Sequence, residues 1–63
     1  MSESPRMYAT FQQAKRDAEI IRSAGYPNAK PRKGTHYDSN GHAWARYYVT
    51  VGHMYLMESG RVA

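Results

Sequence analysis

Between His42 and Met57 the sequence sets aromatic rings and cations at alternate positions, and this is the segment whose residue types could do chemistry. An extended strand points successive side chains to opposite faces. Read as a strand, the segment puts Ala43, Ala45, Tyr47, Val49 and Val51 on one face and His42, Trp44, Arg46, Tyr48 and Thr50 on the other. The first set makes a core face. The second interleaves rings with cations, the combination that suits single-stranded nucleic acid: bases stack on rings for roughly 1–3 kcal/mol each while cations follow the phosphates. Sheets that present stacking rings recur among RNA-binding modules. If Gly52-His53 is a two-residue turn, Val51 pairs with Met54 and Val49 with Leu56, while Tyr55 joins Thr50 and Met57 joins Tyr48 on the ring-bearing side. Lys30, Arg32 and Lys33 are expected on the neighbouring edge, in a segment that also reads as a solvated loop.

The same residues admit other readings. Trp, Tyr, Met and Arg are also enriched at protein interfaces, so the face equally suits a partner protein or a homodimer. A shifted register would instead send Trp44 into the core. Salt separates the first two readings, because phosphate binding weakens steeply with salt through counterion release and an aromatic protein interface does so much less.

Catalysis and metal binding find little support. His36, Asp38, His42 and His53 lie in or beside expected turns, with no zinc-ligand spacing among them. There is no nucleophile motif, no glycine-rich phosphate loop and no convincing carboxylate pair. A chain of 63 residues also has little bulk with which to enclose a ligand pocket of roughly 300 Å³ or more. The expectation is a binding module that is not an enzyme, with no cofactor and no metal.

The elements that must position these residues begin with a helix. Thr10 followed three residues later by Gln13 is the pattern of a capping box. Phe11, Ala14, Ala18 and Ile21 then recur at helical spacing, with Ala24 and Ile20 at the margin of the stripe. The small alanines suit close approach to a sheet. Lys15, Glu19 and Arg22 share another side, where charge pairs of a solvated face are expected. Gly25 supplies the left-handed C-cap and Pro27 forbids continuation, so the helix spans about residues 11–24. Pro27 and Pro31 restrict any following strand to a sheet edge or to a start after Pro31. Asp38-Ser-Asn-Gly41 is a hairpin turn signal whose loop length is open, and a one-residue change would flip the face of Tyr37. Met54 to Glu58 reads as a third strand, with a short helix over residues 54–59 as the alternative. Together these predict an α+β domain, α-β-β-β, with one amphipathic helix on a two- to three-stranded antiparallel sheet. It forms a single domain over residues 1–63, and residues 1–6 read as a flexible tail.

Composition bounds the rest. Nine Lys and Arg against five Asp and Glu give a net charge of +4, which suits solubility and favours anionic partners. Six tyrosines, one tryptophan and one phenylalanine are more large rings than so small a core can hide. There is no cysteine, which excludes disulfides and thiolate metal sites. No apolar run approaches the roughly 20 residues of a membrane span, and Met1-Ser-Glu-Ser-Pro5 lacks the blocks of an export signal. A soluble, cytoplasmic protein with no membrane partner is expected.

The helix ending in Gly25-Tyr26, followed by Arg46-Tyr-Tyr-Val-Thr-Val-Gly52, resembles the first half of a SPOR domain, a peptidoglycan-binding module, over about two-thirds of the chain. That family's second helix and last strand have no counterpart in it. In size and style the chain also looks like the small proteins with which phages and mobile elements disable host complexes, which makes an inhibitor of a host protein the alternative function.

Overall fold

In a computed structural model, which describes residues 3–63, helix α1 (Phe11–Ser23) packs on a three-stranded antiparallel sheet of β1 (Ala29–Tyr37), β2 (Ala43–Val51) and β3 (Met54–Tyr55), in spatial order β1-β2-β3. Thr10 caps the helix, its hydroxyl accepting from the Gln13 N–H at 3.3 Å. At the other end Gly25 N–H donates to Arg22 C=O at 3.1 Å and Tyr26 N–H to Ile21 C=O at 3.2 Å. With Gly25 at φ 111° this is a Schellman cap, which satisfies carbonyls the helix leaves free. Ala14 and Ala18 are fully buried, so the alanine stripe sits against the sheet as its spacing predicts. Arg22 departs from the expected solvated charge face: its Nε donates to Ala29 C=O at 2.8 Å and ties the helix end to β1.

β1 begins before Pro31 and runs through it as an edge strand, where the missing N–H has no inner ladder to interrupt. The segment expected as a solvated loop is therefore mostly strand. Its register places Ala29 opposite Val51, Arg32 opposite Tyr48 and His36 opposite Trp44. The hairpin loop is closed by Asp38 N–H to His42 C=O at 3.0 Å and Gly41 N–H to Asp38 C=O at 3.1 Å. Gly41 has φ 81° whereas Asn40 stays at negative φ. This is a three-residue connection with glycine in the left-handed bulge position, not a two-residue Asn-Gly turn. Gly52, at φ 63°, opens the short turn into β3, and Met54 pairs with Val51 and Tyr55 with Thr50 as the parity reading required. Residues 54–55 are strand, so the helical alternative is not taken.

The core is small and lies at one end of the sheet: Ala14, Ala18, Ala29, Val49, Val51 and Leu56, with Tyr8, Ile21, Tyr47 and Val62 packed around it. Two of these come from chain ends. Tyr8 exchanges both backbone hydrogen bonds with Tyr47, at 2.7 and 3.0 Å, and takes over the edge of β2 beyond β3. Residues 3–6, expected as part of a tail, are paired as well. Arg6 N–H donates to Leu56 C=O at 2.9 Å, Glu58 N–H to Ser4 C=O at 3.0 Å, and Arg61 Nε to the Glu3 carboxylate at 2.7 Å. Residues 1–2 of that expected tail lie outside the described residues. The C-terminus folds back through a turn at Gly60 (φ 96°), so that Leu56 bridges Val62.

Candidate functional site

The helix covers the face of β2 that carries Val49 and Val51, which leaves the other face to be built from the rows of the register. Side chains directly opposite in antiparallel strands lie on the same face. From β1 this face receives Lys30, Arg32, Gly34 and His36; from β2, Trp44, Arg46, Tyr48 and Thr50; from β3, Tyr55. No strand position on it is acidic. The carboxylate of Asp38, next along β1, is engaged in the hairpin loop, accepting from the N–H groups of Asn40 at 2.9 Å and His42 at 2.8 Å.

The rings lie in two groups. At the hairpin end His36 and Trp44 have ring centroids 5.8 Å apart, and the Arg46 guanidinium sits 5.4 Å from the Trp44 centroid. Trp44 is 38 % exposed, so it belongs to the surface, but part of its ring is already occupied by these two neighbours. At the β3 end Tyr48 and Tyr55 approach to 5.8 Å with their planes inclined by 39°. Arg32 stands opposite Tyr48 and reaches along the face to donate from Nε to Thr50 Oγ1 at 3.3 Å. Among the described residues, Lys30, Arg32 and Arg46 form no ion pair, so their charge is free for an external anion.

Two expected members of the site, Lys33 and His42, stand elsewhere. Lys33 is opposite Tyr47, and one residue beyond Arg32 it points to the other side of the sheet. His42 is at the loop, its Nδ1 3.6 Å from the Asp38 carboxylate. Met57, two residues beyond Tyr55 and paired with Pro5, stays on the ring-bearing side, half-buried beside the N-terminal segment. Conversely, His36 was missed as a contributor, although its place opposite Trp44 follows from the parity of β1 once the loop length is known. Pro5 and Met7 were missed as well: with Gly34, Thr35, Tyr48 and Tyr55 they line a recess of about 320 Å³ at the edge of this face. Nothing in a local sequence pattern brings residues 5 and 7 there.

On the helix side a second polar cluster has a structural role. The Tyr8 hydroxyl donates to the Asp17 carboxylate, which also meets Arg6 at 3.5 Å. Burial, reinforced by the bond to Asp17, pushes the Tyr8 phenol up to about 12. The cluster clamps the N-terminal segment to α1. Glu3 is held below the usual carboxylate range, first by its hydrogen bonds from Ser59 and then by Arg61. Among the described residues, no three His, Cys, Asp or Glu side chains come together as a metal site, and no helix is long and apolar enough to cross a membrane.

No protein-family model, curated protein or solved structure matches the chain, and the SPOR likeness of the sequence finds no support among them.

Proposed function

We propose that this chain is a non-enzymatic module that binds single-stranded nucleic acid across the face formed by Trp44, Arg46, Tyr48, Tyr55, Lys30 and Arg32. The observation that carries the reading is the composition of that face: cations that form no ion pair among the described residues, set beside rings, with no acidic strand position among them. Rings alone would suit a protein partner. Cations alone would be a solvated surface. Their alternation on one face matches a polymer with a flat apolar unit and an anion in every repeat. A cytoplasmic location goes with this reading.

The test is fluorescence anisotropy with a labelled oligonucleotide across a salt series. Trp44→Ala and Tyr48→Ala each weaken binding by about 1–3 kcal/mol and leave the salt slope unchanged, because stacking releases no counterions. Lys30→Ala and Arg32→Ala each lower the slope by about 0.7, the counterion release that one neutralised phosphate of a single strand supplies. Lys33→Ala changes neither quantity, since its side chain leaves the opposite side of the sheet. Absence of binding by the unmodified protein at low salt removes the reading. A protein interface, either self-association or capture of a host complex, then becomes the use of the face, with Trp44 and Tyr48 as its anchors.

A further inference from the structure

The recess at the β3 end of the face is built by a glycine. A Cβ on Gly34 would meet Tyr48 Cε1 at 3.0 Å, so the absence of a side chain there lets the Tyr48 ring lie down against β1. Tyr55 inclines toward it from the neighbouring strand. Pro5 and Met7 close the outer side, held in place by the backbone exchange between Tyr8 and Tyr47 and by the Arg6 to Leu56 bond. The result is an apolar recess with a ring and a thioether among its walls. Thioethers and rings both pack favourably on aromatic surfaces. Lys30 and Arg32 stand in the rows of Tyr55 and Tyr48, so cations flank an otherwise apolar concavity.

Resting on the single-strand reading, we infer that this recess seats one unstacked base of the bound strand, and that Gly34 and Met7 are what make the seat. Charge complementarity selects this occupant: an apolar flat group fits the recess, and the phosphates on either side of it meet the cations outside. The Trp44 end, where His36 and Arg46 already pack on the ring, supports a neighbouring nucleotide by surface stacking alone. The two ends of the face therefore differ: one base enters a recess walled on several sides, and its neighbour lies on an open ring.

The experiment uses the full chain and a labelled single strand of about 12 nucleotides, within the usual range of single-strand site sizes. One base at a time is replaced by an abasic residue. Met7→Ala removes a wall without touching the backbone pairing, and Gly34→Val fills the recess with a residue that strands favour. Each variant is expected to weaken binding about five-fold or more, the scale on which a single stacked base contributes. An abasic substitution at the seated position is expected to weaken the unmodified protein by a similar factor and Gly34→Val hardly at all, since that variant no longer has the seat. Equal affinity of Met7→Ala, Gly34→Val and the unmodified protein, with Trp44→Ala still weakened, overturns the seat and leaves the single-strand reading standing. A thermal melt confirms that each variant is folded. If Gly34→Val does not fold, Met7→Ala and the abasic series carry the same decision. No binding by the unmodified protein removes both the seat and the reading on which it rests.

Discussion

Gly25 and Tyr8 are single residues whose surroundings set the size of their effects. A Cβ on Gly25 would meet nothing within 4 Å, so any loss on substitution comes from the backbone at φ 111° and not from a clash. Gly25→Ala is therefore expected to cost about 1–2 kcal/mol, the penalty of left-handed backbone for a residue with a Cβ. A thermal melt reads this directly, and an unchanged midpoint would mean that the cap at Gly25 bears no strain. Tyr8 gives a pH dependence. Its phenol is raised to about 12 in the fold from an ordinary 10, so the folded chain holds the proton more tightly than the unfolded chain. The associated stability is fully present below pH 10 and is lost as pH rises toward 12, where the unfolded state binds fewer protons. Denaturant titrations between those values should show the fall, and Tyr8→Phe should flatten it. Gly25 was legible in the sequence because a helix cap is a local pattern. Tyr8 was not, because its partner Asp17 belongs to an element to which the sequence gives no sign that residue 8 is docked.

At the scale of elements, both long hairpin connections use one device. Met57 N–H donates to Arg61 C=O at 2.8 Å and Gly60 N–H to Met57 C=O at 2.9 Å, repeating the pattern of Asp38, Gly41 and His42. In each the glycine alone takes positive φ. Gly41→Ala should then destabilise by about 1 kcal/mol while Asn40→Ala changes much less, a contrast that a two-residue Asn-Gly turn would not give, because both of its residues need positive φ. Chemical denaturation of the two variants decides between the geometries. The helix, the turn at Gly52 and the parity of β2 could all be read from the sequence, since each depends on spacing within a few residues. β1 can be read only as an edge, because Pro31 within it and Pro27 before it obscure the pattern, and Lys33 then groups with Arg32 although adjacent strand residues face apart. The pairing of residues 3–8 with β2 and the C-terminal segment joins positions some fifty apart, as in the Arg6 to Glu58 bond, and no local pattern encodes it.

The whole molecule is lopsided, with extents of 40 × 29 × 17 Å. Its fully buried large side chains, Leu56 and Val49, lie with the helix at one end of the sheet. At the other end the β1–β2 hairpin runs out beyond the core: Thr35, Tyr37, Ala43 and Ala45 on the helix side and His36 and Trp44 on the other are all exposed. Small domains bury only about 60 % of the surface their unfolded chains expose, so an arm left bare on both sides is held by little more than its ladder of hydrogen bonds. Amides with little buried packing around them open at lower free energy than those of the core. Hydrogen exchange should accordingly be fast along residues 35–37 and 43–45 and slow around Ala29, Val49 and Val51. If the face binds a single strand, adding an oligonucleotide should slow exchange in the arm near Trp44 and Arg46 and leave α1 unchanged, because the helix lies on the other side of the sheet. Protection appearing on the surface of α1 instead would place the partner on the wrong face and remove the ring-and-cation surface from its role. An arm already as protected as the core in the free protein would mean that a second copy covers it, which sedimentation at two concentrations would reveal as a dimer.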